Sequence, residues 1–390
     1  MDNFEYVVPT RVIFGHQTEL KVGEIIKGYG YKKILIHYGQ GSIKKDGLLD
    51  KIVQSLKTNN IEYIELGGVH PNPDIELVRT AIKLCHTEHI DMILAVGGGS
   101  VIDSAKLTAA GFYYDGDPFD ISLHKYVPKK VLPVGVLLTI SAAGSETSTS
   151  CVITNEKTKT KMGYNHPLNR PLFAIMDPEL TFTVSPYQTA CGIVDIMMHT
   201  LERYFNESKE PELADALSEG LLRAVMEAGT KVMKHPNDYD ARACLMMAGS
   251  LSHNGLTNLG KMGRMPVHQL EHVVSGLYTE VAHGAGLSVL FPAWAFYYAA
   301  LDIAKFDKFA KNVMNIHLEK PSDNAKMGII RLKEYFHSLG MPLTFSELGI
   351  KNPDIEWMVN KLTEGGTRVV DHHIKPLDAE VAKAIYTSVL

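Results

Sequence analysis

The chain has 390 residues, 45% of them hydrophobic, and its 39 Lys and Arg against 44 Asp and Glu leave a net charge of −5 at neutral pH. That length accommodates two domains of roughly 100–200 residues each, and charges of both signs are spread without a basic stripe, which excludes a nucleic-acid partner. The opening MDNFEYVVPTRVIFG has no basic and apolar signal regions, and the longest apolar run, Val131–Ile140, is interrupted by Pro133 and too short for a bilayer, so a soluble cytoplasmic protein with no membrane partner is expected.

In chain order, the short apolar runs Lys33–Tyr38 (KILIHY), Tyr63–Leu66, Met92–Val96 (MILAV) and Pro133–Leu138 predict buried strands, while Leu48–Thr58, Asp74–His86 and Val101–Ala110 carry helical spacing. Repeated strand–helix units imply an α/β domain with a doubly wound parallel sheet of Rossmann-like type. Cys85, Cys151, Cys191 and Cys244 lie far apart without a C-x-x-C, which fits reduced thiols.

The loops after three of these strands carry chemistry. Gly97-Gly98-Gly99-Ser100 stands between MILAV and a helix, where glycines let the backbone approach a pyrophosphate and the helix start presents N–H groups and a positive dipole end. It is not the G-x-G-x-x-G fingerprint. Thr139-Ile140-Ser141-Ala142-Ala143-Gly144-Ser145-Glu146 follows the next strand with small, hydroxyl-bearing residues suited to a ribose or nicotinamide, so the pair of loops suggests a dinucleotide. After KILIHY the chain reads Gly39-Gln40-Gly41-Ser42-Ile43-Lys44-Lys45, with no carboxylate before Asp46. An NAD site places an acid on the adenosine ribose 2′-hydroxyl, so its absence beside two lysines favours NADPH.

Beyond Phe173–Met176 and the Asp177-Pro178 turn the spacing becomes helical almost throughout, clearest in Leu213–Met233, Ala241–His253, Val267–Gly276, Asp302–Met314 and Asn324–Leu339. The expected division is a dinucleotide-binding domain over residues 1–185 and an all-helical domain over 186–390, with the boundary near Thr183–Pro186. The helical half holds Asp195 and His199 four residues apart on one predicted helix face, then His268, His272 and His283. A carboxylate and imidazoles suit a divalent first-row metal, and a four-ligand shell needs only two of these three histidines. His272, with an ordinary pKa of about 6.5, is also suited to proton transfer near neutral pH.

The stretch Thr189–His199 with its D-x-x-x-H, the His268/His272/His283 block, GGGSVIDSAK, DPELTFTVSP at Asp177–Pro186 and the closing Gly365–Leu377 together resemble the iron-containing (group III) alcohol dehydrogenases, in particular their NADP(H)-dependent butanol dehydrogenase-like branch. The resemblance covers essentially the whole chain. It implies an architecture similar to that of dehydroquinate synthase, with Asp195, His199, His268 and His283 as ligands of Fe²⁺, or of Zn²⁺, Mn²⁺ or Ni²⁺, and His272 as the catalytic residue near the substrate. It further implies Gly97, Gly98, Gly99, Ser100, Asp103, Thr139, Ser141, Ser145 and Lys161 around the cofactor, and Gly39, Gly41, Ser42 and Lys44 near the adenosine ribose. The implied activity is hydride transfer between NADP(H) and short or medium aliphatic alcohols and aldehydes at an interdomain cleft, and a homodimer is expected as the common default for oligomers. Two features depart from the branch: Gly39-Gln40-Gly41 interrupts a plain glycine run, and Arg368–His373 is unusually polar, which leaves His372 and His373 without a role. A metal- and NAD-dependent carbon–oxygen lyase of dehydroquinate synthase type is the alternative enzyme, disfavoured because the metal-bearing stretches lack Arg and Lys for a polyanion. A non-catalytic nucleotide-binding protein would leave the metal set without purpose.

Overall fold

The structure is a computed structural model that describes residues 2–206, 212–372 and 374–390. The chain divides into two units, one formed by Val7–Val184 with Asn237–Ser250, the other by Met1–Tyr6, Ser185–Pro236 and Leu251–Leu390.

The first unit is built on β1 (Arg11–Phe14), β2 (Lys33–Tyr38), β3 (Glu62–Leu66), β4 (Met92–Gly97), β5 (Val134–Leu138), β6 (Ser150–Asn155), β7 (Thr160–Asn165) and β8 (Phe173–Met176). Its helices are α1 (Val22–Gly28), α2 (Ser42–Lys45), α3 (Leu48–Thr58), α4 (Ile75–Thr87), α5 (Gly99–Gly111) and α6 (Phe119–Ser122). Six strands form one sheet in the order β1-β8-β5-β4-β2-β3, every neighbouring pair parallel. Alternate residues leave the sheet on opposite faces. Ile34, Ile36, Leu94 and Val96 pack with Ile26, Ile52 and Leu56 of α1 and α3, whereas Leu35, Ile93, Ala95 and Val136 pack with Ala81, Ile102 and Ala105 of α4 and α5. Burial on both faces is why KILIHY and MILAV are continuous apolar runs rather than alternating ones. The strand order reverses between β2 and β4, the topological switch at which open α/β sheets take their ligands.

Three strands have no strong sequence signal. The antiparallel hairpin β6–β7 is rich in Thr, Lys and Asn, and of its apolar residues Cys151, Ile153 and Tyr164 are buried against α4 and α5. Strand β1 lies at the sheet edge and is largely exposed, so its four residues lack a core pattern.

The chain then continues through α7 (Pro186–Tyr204), α8 (Glu212–Lys234), α9 (Tyr239–His253), α10 (Pro266–Leu277), α11 (His283–Ala299), α12 (Ile303–Asn312), α13 (Pro321–Ser338), α14 (Ile355–Thr363) and α15 (Ala379–Thr387). Helix α7 starts at Ser185, whose Oγ accepts the Gln188 N–H at 3.2 Å, with Pro186 in the first turn. Every residue from Thr189 to Tyr204 is buried. Helix α11 is likewise enclosed from Gly284 to Pro292, and both are central helices rather than amphipathic surface ones.

One arrangement differs from the expected continuous helical domain: residues 237–250 belong with the sheet. Met246 is fully buried in the cluster under β4 and β5, Tyr239 stacks on His16 with ring centroids 3.9 Å apart, and the Ser250 hydroxyl bonds Glu146. Apolar spacing on α9 marks a buried face without telling which unit buries it.

Candidate active site

Within the helical unit, Asp195 and His199 stand one turn apart on α7, and His199 Nδ1 lies 3.3 Å from Asp195 Oδ1. His268 on the first turn of α10 brings Nε2 to 3.7 Å from the same oxygen, and His283, the first residue of α11, brings Nε2 to 3.8 Å. Three helices thus bring three imidazoles to one oxygen of Asp195; Asp195, His199 and His268 offer one donor atom each within 4.8 Å of one another, and His283 joins them through Asp195. Asp195 Oδ1, His199 Nδ1 and His268 Nε2 are buried and have no hydrogen-bond partner among the described residues. Such atoms cost roughly 1–3 kcal/mol each when left unsatisfied, more if charged, so three of them converging is unfavourable unless a cation lies among them. Imidazole nitrogen and carboxylate oxygen are donors that Fe²⁺ and Zn²⁺ accept, and the residues fit a divalent metal.

The ring nitrogens on the far side are held by carboxylates. His268 Nδ1–H donates to Glu202, and His283 Nδ1–H donates to Glu271, both acids being fully enclosed. A carboxylate accepts only, so each contact fixes the tautomer that leaves the Nε2 lone pair facing Asp195. Glu202 Oε1 also accepts the Val267 N–H at 2.6 Å, which seats the start of α10. Electrostatics follow from this arrangement. Burial, with His253 and His268 nearby, holds His199 well below the usual histidine range. Burial opposes a charge on His268 too, but Glu202 and Asp195 outweigh it and push that group up to about 9. A point that attracts a proton so strongly attracts a metal cation for the same reason.

His272 sits one turn beyond His268, its ring 5.5 Å from that of His283 and 6.3 Å from that of His268. It is half-buried, beside the four converging groups rather than among them. Glu271, His272 and His283 can also bring one donor atom each within 4.8 Å of one another, but the Glu271 carboxylate is engaged by His283 Nδ1. Arg203, the cation on the same helix, donates to the carbonyls of His199 and Ser252 at 2.6 and 3.0 Å, so it is not poised for a polyanionic substrate.

Within the sheet unit, the loops after β2, β4 and β5 leave adjacent parallel strands at the same end of the sheet. A Cβ on Gly97 would stand 2.6 Å from Val101 Cγ2 and one on Gly98 2.1 Å from Ile140 Cγ2, so Gly97 makes room for the first turn of α5 and Gly98 lets the loop after β5 lie directly against the loop after β4. Thr139 N–H donates to Gly97 O at 3.1 Å across the same seam. Gly99 and Ser100 open α5, which no side chain caps, and the Ser141 hydroxyl is buried without a partner among the described residues. These features suit a pyrophosphate and its neighbouring groups. Gly41 has φ +117°, a left-handed conformation that requires glycine, and it places Ser42 at the start of α2. Lys44 is 3.4 Å from Glu65 and 5.1 Å over the Tyr38 ring. Gly39 keeps an ordinary φ, and a Cβ there would meet Val69 O at 3.6 Å, an ordinary contact. Lys161 Nζ donates to Asn72 at 3.0 Å. Asp103 and Ser145 bond one another, Ser145 Oγ donating at 2.6 Å, and Asp103 Oδ2 accepts the Val152 N–H at 3.0 Å.

Sequence reasoning missed Glu202, Glu271, His253 and Lys106. Glu202 follows His199 by three residues and Glu271 follows His268 by three, so acids placed one turn after proposed ligands in apolar helices were the available signal. His253 packs edge-on against His199 with centroids 3.9 Å apart, a contact between distant segments that spacing does not reveal. His372 is buried against Trp294 and Tyr298, at 5.6 and 4.4 Å between centroids, and accepts the Ile374 N–H. His373 lies outside the described residues.

Comparison with known proteins matches residues 9–178 to the family model for iron-containing alcohol dehydrogenase and residues 189–389 to that for the C-terminal part of the Fe-containing alcohol dehydrogenase family. The chain is 41% identical over 390 residues to NADH-dependent butanol dehydrogenase A of Clostridium acetobutylicum, covering 99% of each chain. It is 34% identical over 391 residues to the NADPH-dependent aldehyde reductase YqhD of Escherichia coli, again covering 99% of each. Among solved structures, NADH-dependent butanol dehydrogenase A from Thermotoga maritima superimposes with a TM-score of 0.96 at 38% identity, covering 100% of this chain and 99% of that one.

Proposed function

Because the chain belongs to the iron-containing alcohol dehydrogenase family, and so is an oxidoreductase of alcohol dehydrogenase and aldehyde reductase type, we propose that it reduces short or medium aliphatic aldehydes with NADPH, using one divalent metal held by Asp195, His199, His268 and His283. The observation that carries this reading is the convergence of three buried, unpartnered donor atoms on one point of the helical unit. When bound, the metal supplies Lewis acidity to the substrate oxygen and the nicotinamide supplies the hydride. Fe²⁺ is the first choice, and the ligand types also admit Zn²⁺, Mn²⁺ or Ni²⁺.

The chain's own residues bind, orient and move a proton. Glu202 and Glu271 hold two imidazoles in the tautomer that leaves Nε2 free. The loops Gly97–Ser100 and Thr139–Ser145 seat the dinucleotide at the switch point of the sheet. His272 holds the proton that the reduced oxygen takes up, since it stands beside the ligand histidines without belonging to the converging set. The apolar enclosure of α7 and α11 keeps water from the ligands and offers no cationic anchor for a carboxylate or phosphate on the substrate.

NADPH is supported by the absence of a carboxylate from Gly39 to Lys45, and an NADPH pool kept reduced favours aldehyde reduction as the working direction. The relatives divide on this point, one named for NADH and another for NADPH. A symmetric homodimer in the cytoplasm, with a small alcohol or aldehyde as its binding partner, completes the proposal. The test is kcat/KM for butyraldehyde reduction with each cofactor on metal-loaded protein. A preference for NADPH is expected; a clear preference for NADH would reject the reading of the Gly39–Lys45 loop, and turnover with neither would reject the activity.

A further inference from the structure

Among the buried cations of the described residues, Lys106 is one that the proposed chemistry does not use. Lys106 lies on α5, two turns beyond the Gly97–Ser100 loop, with 1% of its surface exposed. Its ammonium donates to Ser145 O at 2.6 Å, Ser150 O at 2.8 Å, Ser145 Oγ at 2.9 Å and Ser148 O at 3.1 Å, with Ser148 Oγ at 3.5 Å. All these oxygens come from the one segment Ser145–Ser150. They outnumber the three N–H bonds an ammonium has to offer. Carbonyl and hydroxyl oxygens closing around a single charge are how proteins replace the hydration shell of a monovalent ion.

Asp103, one turn earlier on α5, holds the start of the same segment and the strand that follows it, accepting from Ser145 Oγ and from Val152 N–H of β6. Burial pulls the Lys106 ammonium down to about 8, against Asp103, Cys151 and Glu146, which favour its charge; Arg170 opposes it. Ser145 is therefore bonded to both Asp103 and Lys106, and it is the last residue of the loop Thr139–Ser145 that follows β5. The segment is neither helix nor strand before Ser150 and turns through Gly144 at φ +67°; beyond Ser145 it is also held by Ser250 at Glu146, Arg170 at Thr147 O and Asn169 at Thr149 O, while the side-chain partners of Ser145 are Asp103 and Lys106.

We infer that Lys106 is a tethered monovalent cation whose oxygen cage sets the shape of the Thr139–Ser145 loop and hence the affinity for the dinucleotide, which makes it a positioning residue for hydride transfer. The inference rests on the reading that this loop holds the cofactor. It gives Asp103 and Ser145 a supporting role: their polar atoms are directed at each other and at the cage.

The test is equilibrium binding of NADPH and NADH by fluorescence titration of metal-stripped protein, which needs no turnover. Lys106→Ala should weaken dinucleotide binding roughly tenfold, the scale of one charge-assisted hydrogen bond lost. Ammonium or methylammonium should restore it, while tetramethylammonium, too large for the cage, should not. Lys106→Met, which fills the space without a charge, should show the same loss and no restoration. Wild-type affinity in folded Lys106→Ala, or a loss that methylammonium leaves unchanged, would overturn the inference while leaving the cofactor reading intact. Wild-type protein that bound neither dinucleotide would overturn both. Should Lys106→Ala fold only when refolded with methylammonium, the cage is supported; failure to fold with or without the amine overturns it in favour of a packing role.

Discussion

At the scale of single residues, the site depends on acids that never touch the substrate. Glu202 and Glu271 have no solvent contact, and each holds the Nδ1–H of a histidine whose other nitrogen faces Asp195. Glu202→Gln and Glu271→Gln keep the shape but present an amide that can donate as well as accept, so the tautomer is no longer enforced. Metal affinity should fall roughly 10–100-fold in each, measured by competition with a chelator; unchanged affinity in both would show that the acids only fill space. His272 has the opposite profile, close to the ligands yet not one of them. His272→Ala should lower kcat about 100-fold with metal content and cofactor affinity nearly unchanged. A loss of bound metal in parallel with kcat would instead make His272 a structural neighbour. Why Asp195, His199, His268 and His283 were legible as a group and the two acids were not has a physical basis. Asp and His in apolar helices are unusual by type alone, whereas a buried Glu becomes informative only when its partner across helices is known.

At the scale of elements, the position of His283 depends on how closely α11 approaches α7. A Cβ on Gly284 would stand 2.2 Å from Cys191 O, a backbone atom one turn before Asp195. Gly284→Ala must push the two helices apart, costing about 1–3 kcal/mol as overpacking does and drawing His283 away from the other ligands. A lower unfolding temperature with weaker metal binding is expected, and wild-type values for both would contradict the packing described. In the sheet unit, His37 ties β2 to β3 and α5, with Nδ1 3.0 Å from Leu66 O and Nε2 2.8 Å from Ser104 Oγ. Burial pulls it down to about 4 from an ordinary 6.5, although the Leu66 carbonyl works the other way. The unfolded chain therefore takes up this proton first as the pH falls, so the neutral ring's contribution is full above pH 6.5 and lost on the way to about pH 4. The slope is at most about 1.4 kcal/mol per pH unit. Urea unfolding at pH 7 and pH 5 should show this loss in the wild type and less of it in His37→Asn; equal loss in both would assign the acid sensitivity elsewhere. Strands buried on both faces and long helices were legible because their apolar runs have the right length. The hairpin β6–β7 and the exposed edge strand β1 were not, since few of their residues are buried.

At the scale of the whole chain, a sheet unit carries the glycine- and hydroxyl-rich loops and a helical unit carries Asp195 with the three histidines around it, in a chain that belongs to the iron-containing alcohol dehydrogenase family. The change from strand–helix units to helices was readable because each half carries its own periodicity. What periodicity did not tell was that residues 237–250 leave the helical half to pack under the sheet, since an apolar helix face does not name its partner. The central claim is that Asp195, His199, His268 and His283 hold one divalent metal on which turnover depends. Elemental analysis of the purified protein, run alongside activity through chelation and reloading with Fe²⁺ or Zn²⁺, tests it most directly when repeated on Asp195→Ala and His268→Ala. One metal per chain in the wild type, activity lost and regained with it, and neither metal nor activity in the two variants is the result predicted; full aldehyde reduction by metal-free wild type, or by either variant, would contradict it.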